Sequence, residues 1–121
     1  MLKKHVYSFQ NALSGLKWIA RTQINFKIHL FFSLLALVFG FLLEISQTEF
    51  LIILTVIGTG LALEAVNTAI EEAIDAIHKD WSEAIKIAKD VSAGAMLIFA
   101  ITAFVVACLI FLPKILLLFA L

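Results

Sequence analysis

No acidic residue precedes Glu44, whereas five Lys or Arg do, and every acid falls between Glu44 and Asp90. A net charge of zero hides that imbalance. The single cysteine, Cys108, excludes an intrachain disulfide, and no CxxC or Cys/His spacing offers a metal site. It reads as a small residue of an apolar run. The one proline is Pro113. Neither Pro nor Gly interrupts Leu61 to Lys86, so one helix is expected to carry the apolar run Phe50–Leu63 and the polar run that follows it. Common nucleotide and hydrolase motifs are missing. There is no GxxxxGKS/T loop, no HExxH and no GxSxG, and the close pair Gly58-Thr59-Gly60 lies inside a spanning candidate. With 63% hydrophobic and 15% charged residues, the composition is far from that of soluble domains.

Three long apolar runs account for that composition. The first, Ile28 to Ile45, reaches about 27 Å at the helical rise, close to a hydrocarbon core of about 30 Å. Ser46-Gln47-Thr48 is expected to turn the chain. The second run goes from near Thr48 to about Ile77. The third goes from Val91 to Leu112 and is expected to end at Pro113-Lys114. Ahead of them, Val6, Phe9, Leu13, Leu16 and Ala20 recur at steps of three and four, one apolar stripe on a helix. Lys17, Arg21 and Trp18 beside it suit an anionic membrane surface. The expected class is an all-α membrane protein with three transmembrane helices and an N-terminal amphipathic surface helix. Residues 1–121 are read as one domain.

The basic residues set the orientation. Five precede the first span, three lie between Lys79 and Lys89, and the turn after the first span has none. The positive-inside rule therefore puts the N-terminus and the second loop in the cytoplasm, with the C-terminus outside. A cleaved signal peptide is not expected, because no small-residue cleavage site follows the first run. Gly58, Gly60 and Ser92-Ala93-Gly94-Ala95 allow close helix approach. Three helices are few for enclosing a polar site, so several subunits are expected to pack together.

Glu64 is the residue that bears most on function. It lies about 21 Å along the second span from Phe50, just inside the hydrocarbon on the cytoplasmic side. Ionisable groups at that depth are costly and are kept mainly for chemistry or transport. Steps of three, four and four place Glu64, Asn67, Glu71 and Asp75 on one helix face. The third span enters at Lys89-Asp90, at the same level. A desolvated carboxylate next to a lipid hydroxyl suits a general base. Carboxylates with an amide oxygen suit Mg²⁺, and Lys89 suits a phosphate. Glu72, Lys79 and Lys86 read as a solvated helix end, and His29 as an interfacial packing residue.

The run Glu64-Ala65-Val66-Asn67-Thr68-Ala69-Ile70-Glu71-Glu72-Ala73-Ile74-Asp75 resembles the prokaryotic diacylglycerol kinase family, whose pattern is E-x-x-N-S/T-A-I-E-x-x-x-D. A second block, Ala88-Lys89-Asp90-Val91-Ser92-Ala93-Gly94-Ala95-Met96-Leu97, matches at a fitting distance. Ser8-Phe9, Ala12 and Gly15-Leu16 extend the likeness. Phe111-Leu112-Pro113-Lys114 and Asn25-Phe26-Lys27-Ile28-His29 look closer to the undecaprenol kinase branch. The resemblance implies a homotrimer of three-span subunits in the cell's inner membrane. It implies transfer of the ATP γ-phosphate to a lipid hydroxyl, of undecaprenol or diacylglycerol, with Mg²⁺. It assigns Glu64 as general base and Asn67 to arranging headgroup and phosphate. It assigns Glu71 to the metal, Asp75 to nucleotide binding, Lys89 to phosphates and Asp90 to orienting its neighbours. No nucleic-acid partner is expected.

Two positions depart from the family pattern. Where relatives read T/E-E-x-N-x-R/K-x-H, this chain has Thr22-Gln23-Ile24-Asn25-Phe26-Lys27-Ile28-His29. Gln23 thus replaces a metal-binding Glu and brings an amide oxygen without charge. Trp81-Ser82 stands where relatives often have Tyr-His. Gln23 keeps two further readings open: a lipid-phosphate phosphatase, or an altered or inactive kinase, on the same scaffold. A non-catalytic membrane trimer that binds lipid or a partner is the third.

Overall fold

The structure, a computed structural model, describes residues 2–119. Among these residues it comprises α1 (Leu2–Thr22), α2 (Ile24–Leu42), α3 (Gln47–Ile77) and α4 (Glu83–Phe119), with no strand. Helices α2, α3 and α4 are each long and apolar enough to cross a membrane. The 31 residues of α3 and the 37 of α4 extend about 46 and 55 Å at the helical rise. Both exceed a hydrocarbon core of about 30 Å. Part of each therefore stands in the interfacial regions.

The junction between α1 and α2 is one residue. Gln23 adopts extended dihedrals (φ −93°, ψ 119°), which break the helix without Pro or Gly. Its N–H still donates to Ile19 O at 2.9 Å, and Lys27 N–H donates to Gln23 O at 3.3 Å. Ile19 and Phe26, on either side of the break, are both buried. The first span therefore begins at Ile24, four residues before the apolar run that announced it. On α1 the stripe Val6, Phe9, Leu13 and Leu16 stays exposed, so packing within the chain does not consume it.

The α2–α3 turn is closed at both ends by hydrogen bonds. Ile45 N–H donates to Gly40 O at 3.1 Å and Glu44 N–H to Phe41 O at 3.3 Å, the two bonds of a Schellman motif. Glu44 occupies its left-handed position (φ 50°), where glycine is usual. Ile45 folds back onto Gly40, where an added Cβ would lie 2.9 Å from Ile45 Cδ1. Ser46 then caps α3 in a capping box. Its Oγ accepts from Glu49 N–H at 3.2 Å, and its own N–H donates to Glu49 Oε2 at 2.7 Å. At the other end of α3, Ser82 Oγ accepts from Ile85 N–H at 3.3 Å and starts α4. That contact gives the residue at one departure from the family pattern a local structural role.

The three long helices run antiparallel in steady register. Along α3 and α4, Glu49 meets Lys114, Gly60 meets Phe99, Asn67 meets Ser92 and Asp75 meets Lys89. Between α2 and α3, His29 meets Glu64 and Gln23 meets Glu72. At Gly60 a Cβ would lie 2.3 Å from Phe99 Cζ, so the absent side chain is what lets the ring lie against α3. One expectation fails here: Pro113 sits inside α4 rather than ending it. A proline removes one helical hydrogen bond. Unwinding the apolar residues Ile115–Phe119 in lipid would leave several backbone groups unsatisfied, which costs more.

Two substitutions in the turn test these contacts. Glu44→Gly relieves the left-handed strain and raises stability by up to about 1 kcal/mol. Ser46→Ala removes the cap and lowers it by about 1 kcal/mol. Unfolding in detergent micelles should move the two midpoints in opposite directions.

Candidate functional site

The C-terminal half of α3 is a polarity gradient. Glu64, Asn67 and Thr68 are buried at 3%, 7% and 5% exposure, Glu71 is intermediate and Asp75 is exposed. The helical spacing puts Glu64, Asn67, Glu71 and Asp75 on one face, and the flanking helices decide how much of each stays wet. Glu64 sits deepest. Its Oε2 lies 3.9 Å from Nε2 of His29 on α2. The His29 ring rests near Phe99 of α4, with centroids 5.9 Å apart at 49°. Phe99 in turn lies on Gly60. A carboxylate, an imidazole and a phenyl ring, each from a different helix, thus form one wall.

One turn further, a directed relay joins α4 to α3. Ser92 Oγ donates to Asn67 Oδ1 at 2.6 Å, and Asn67 Nδ2 donates to Glu71 Oε1 at 3.2 Å. The relay fixes which way the Asn67 amide faces and holds one oxygen of Glu71. Beyond it, Lys89 Nζ pairs with Asp75 Oδ1 across the two helices. Asn67, Glu71, Asp75 and Lys89 therefore come together as the sequence indicates. Asp90 does not join them within the chain. It pairs with Lys86 on the exposed side of α4, because adjacent residues point about 100° apart on a helix.

Gln23 reaches the same end of the bundle. Its Nε2 lies 3.5 Å from Glu72 Oε1, so it donates to the neighbour of Glu71. Among the described residues no three His, Cys, Asp or Glu side chains converge as a metal cage. That is no obstacle to Mg²⁺, which is usually held by one or two carboxylates together with substrate phosphates. Glu71, with one oxygen already oriented by Asn67, matches that donor set.

Beneath this cluster runs an apolar groove of about 490 Å³. Phe32, Ala36, Ile53, Gly60, Ala103 and Phe111 are among its walls, contributed by α2, α3 and α4. Its polar end is marked by His29 and Ser33. The groove thus runs from His29, which neighbours the buried Glu64, toward the other end of the bundle. Ser92 and His29 are the contributors that pattern reading undervalued. Ser92 passed as one small residue among four, and His29 as packing. A histidine four residues after Asn25 in the matched segment was the available signal.

The prokaryotic diacylglycerol kinase family profile matches residues 10–111. Over 113 residues the chain is 41% identical to undecaprenol kinase of Bacillus subtilis (strain 168), covering 93% of this chain and 92% of that protein. Over 110 residues it is 34% identical to diacylglycerol kinase of Synechocystis sp. (strain ATCC 27184 / PCC 6803 / Kazusa), covering 90% of this chain and 63% of that protein. The polar residues of this site, from Gln23 to Ser92, lie within the matched span. Its three spans make the chain a multi-pass membrane protein. It belongs to the prokaryotic diacylglycerol kinase family and is a lipid kinase.

Proposed function

We propose that the chain transfers the γ-phosphate of ATP to the hydroxyl of a membrane lipid at the cytoplasmic interface of the cell's inner membrane. The acceptor is undecaprenol, with diacylglycerol as the alternative. The observation that carries this reading is the buried Glu64 beside His29, which lines the polar end of an apolar groove, with Asn67 one turn and Glu71 two turns further along α3. A groove of that volume falls in the range of small-ligand sites. The lipid's chain lies in it and the hydroxyl stops near Glu64. The longer match to undecaprenol kinase favours a polyprenol chain.

Each residue has a task in that reaction. Glu64 takes the hydroxyl proton as the lipid oxygen attacks the γ-phosphorus and ADP leaves. Asn67, locked by Ser92, presents its amide to the headgroup and phosphate. Glu71 holds Mg²⁺, which when bound neutralises phosphate charge. Lys89 exchanges Asp75 for a phosphate oxygen, and Asp75 then supports the nucleotide. Asp90 orients neighbouring groups from the next subunit's side of the site. The single chain leaves large apolar side chains such as Phe104 and Leu109 about 70% exposed. Lipid and two further copies cover them in a homotrimer. The exposed stripe of α1 lies on the cytoplasmic membrane surface, with the C-terminus outside.

Purified protein with ATP, Mg²⁺ and a panel of lipid alcohols in mixed micelles should yield a lipid phosphate, with undecaprenol turned over fastest. Glu64→Gln should lower kcat by roughly 10²- to 10⁴-fold without unfolding the protein. Full activity in that variant would remove Glu64 as the base. Inorganic phosphate released from a lipid phosphate without ATP would establish the phosphatase reading instead.

Gln23 gives a second test. Gln23→Glu adds a carboxylate opposite Glu72 and beside Glu71. The Mg²⁺ concentration for half-maximal activity should fall by up to about tenfold, since affinity at such sites follows ligand charge. An unchanged Mg²⁺ dependence would place the metal elsewhere.

A further inference from the structure

We propose that His29 acts through Glu64, as the group that takes up the proton Glu64 removes from the acceptor hydroxyl and passes it toward solvent. The proposal rests on the kinase reading above, with Glu64 as base. Three observations point to it. Among the described residues His29 is the basic side chain within ion-pair distance of Glu64, at 3.9 Å. The Glu64 side chain is 4% exposed and that of His29 is 26% exposed, so the imidazole is the wetter of the two. His29 also lines the polar end of the groove, where the hydroxyl would arrive.

A proton left on a buried carboxylate blocks the next turnover, because the base is then neutral. Glu64 cannot easily return it to water from its own position. Nε2 of His29, 3.9 Å from Oε2, accepts it over a distance that one small rotamer adjustment or one bridging water closes. The balance is complete. The O–H bond of the lipid breaks and its proton goes to Glu64. It moves on to Nε2, leaving a carboxylate–imidazolium pair, and the imidazolium releases it to water. No oxidant or further reactant enters.

The surroundings of His29 leave this role to it. From α3 it is faced by Glu64, with Glu71 two turns further toward the cytoplasm. From α4 it is faced by Phe99, which carries no charge. Lys89 and Asp90 lie about 15 and 14 Å along α4 from Phe99 and are paired with Asp75 and Lys86. On α1, Lys17 and Arg21 are exposed, and neither is within ion-pair distance of His29 or Glu64. On α2 itself, Lys27 is exposed. Phe99, seated on Gly60, backs the imidazole and keeps it near the carboxylate.

The test uses the full chain in micelles with undecaprenol, ATP and Mg²⁺. His29→Gln should lower kcat by about 10- to 100-fold with KM for ATP and lipid unchanged. His29→Ala should recover at least several-fold of its lost rate when imidazole is added. A purely packing role would give no imidazole response. If His29→Gln keeps the wild-type kcat, or folded His29→Ala ignores imidazole, the relay is overturned while the kinase reading stands. A wild-type protein that phosphorylates no lipid overturns both.

Discussion

A carboxylate at the position of Glu64 loses most of its hydration, and the helices around it have to supply what water no longer does. They supply it sparingly. The nearest basic group is 3.9 Å away, and the rest of the wall is aromatic or aliphatic. An arginine or lysine in direct contact would satisfy the charge but quench it as a base. His29, at slightly more than hydrogen-bond distance, offers the carboxylate a polar partner without direct contact. The packing distance between α2 and α3 at this level therefore sets the surroundings of Glu64.

That setting depends on contacts spread along the bundle. The start of α3 and the end of α4 are tied by Lys114 to Glu49, at 3.4 Å, and Glu49 is itself engaged in the capping box with Ser46. The end of α3 and the start of α4 are tied by Asn67–Ser92 and Lys89–Asp75. Between them Gly60 lets Phe99 approach. These contacts fix the register of α4 on α3 at three heights. With few buried apolar side chains among the described residues, namely Ile19, Phe26, Ile53 and Ile110, the polar ties carry an unusual share of the specificity. In lipid this is expected, since apolar burial between helices gains little over contact with acyl chains.

The spans and the face of α3 were legible because they follow from periodicity and from the cost of charge in an apolar run. Glu64, Asn67, Glu71 and Asp75 repeat at helical steps, and no Pro or Gly separates them from the apolar run before them; the break at residues 78–82 has no such marker. What was not legible depended on neighbours. Asp90 sits beside Lys89 in the chain, yet only Lys89 meets Asp75, because helix geometry separates adjacent side chains. Pro113 reads as a stop by the rules of helices in water, and those rules change where the backbone has no water to turn to. The capping box Ser46–Glu49 is written in the sequence as S-x-x-E, and reading the segment as a bare turn passed over it. The one-residue break at Gln23 has no sequence signature at all.

Gln23 also shows how a departure from a family pattern can fit its surroundings. Its side chain faces Glu72, one residue from Glu71. A glutamate there would bring a third carboxylate to one end of the bundle, and like charges so close repel unless a cation lies between them. Such a site is strong for metal and strained without it. An amide avoids the repulsion by donating its N–H to Glu72, and so joins the start of α2 to α3 without adding a charge. It leaves Glu71 as the carboxylate that Asn67 orients. At this position the departure from the family pattern therefore trades one negative charge for a contact between two helices.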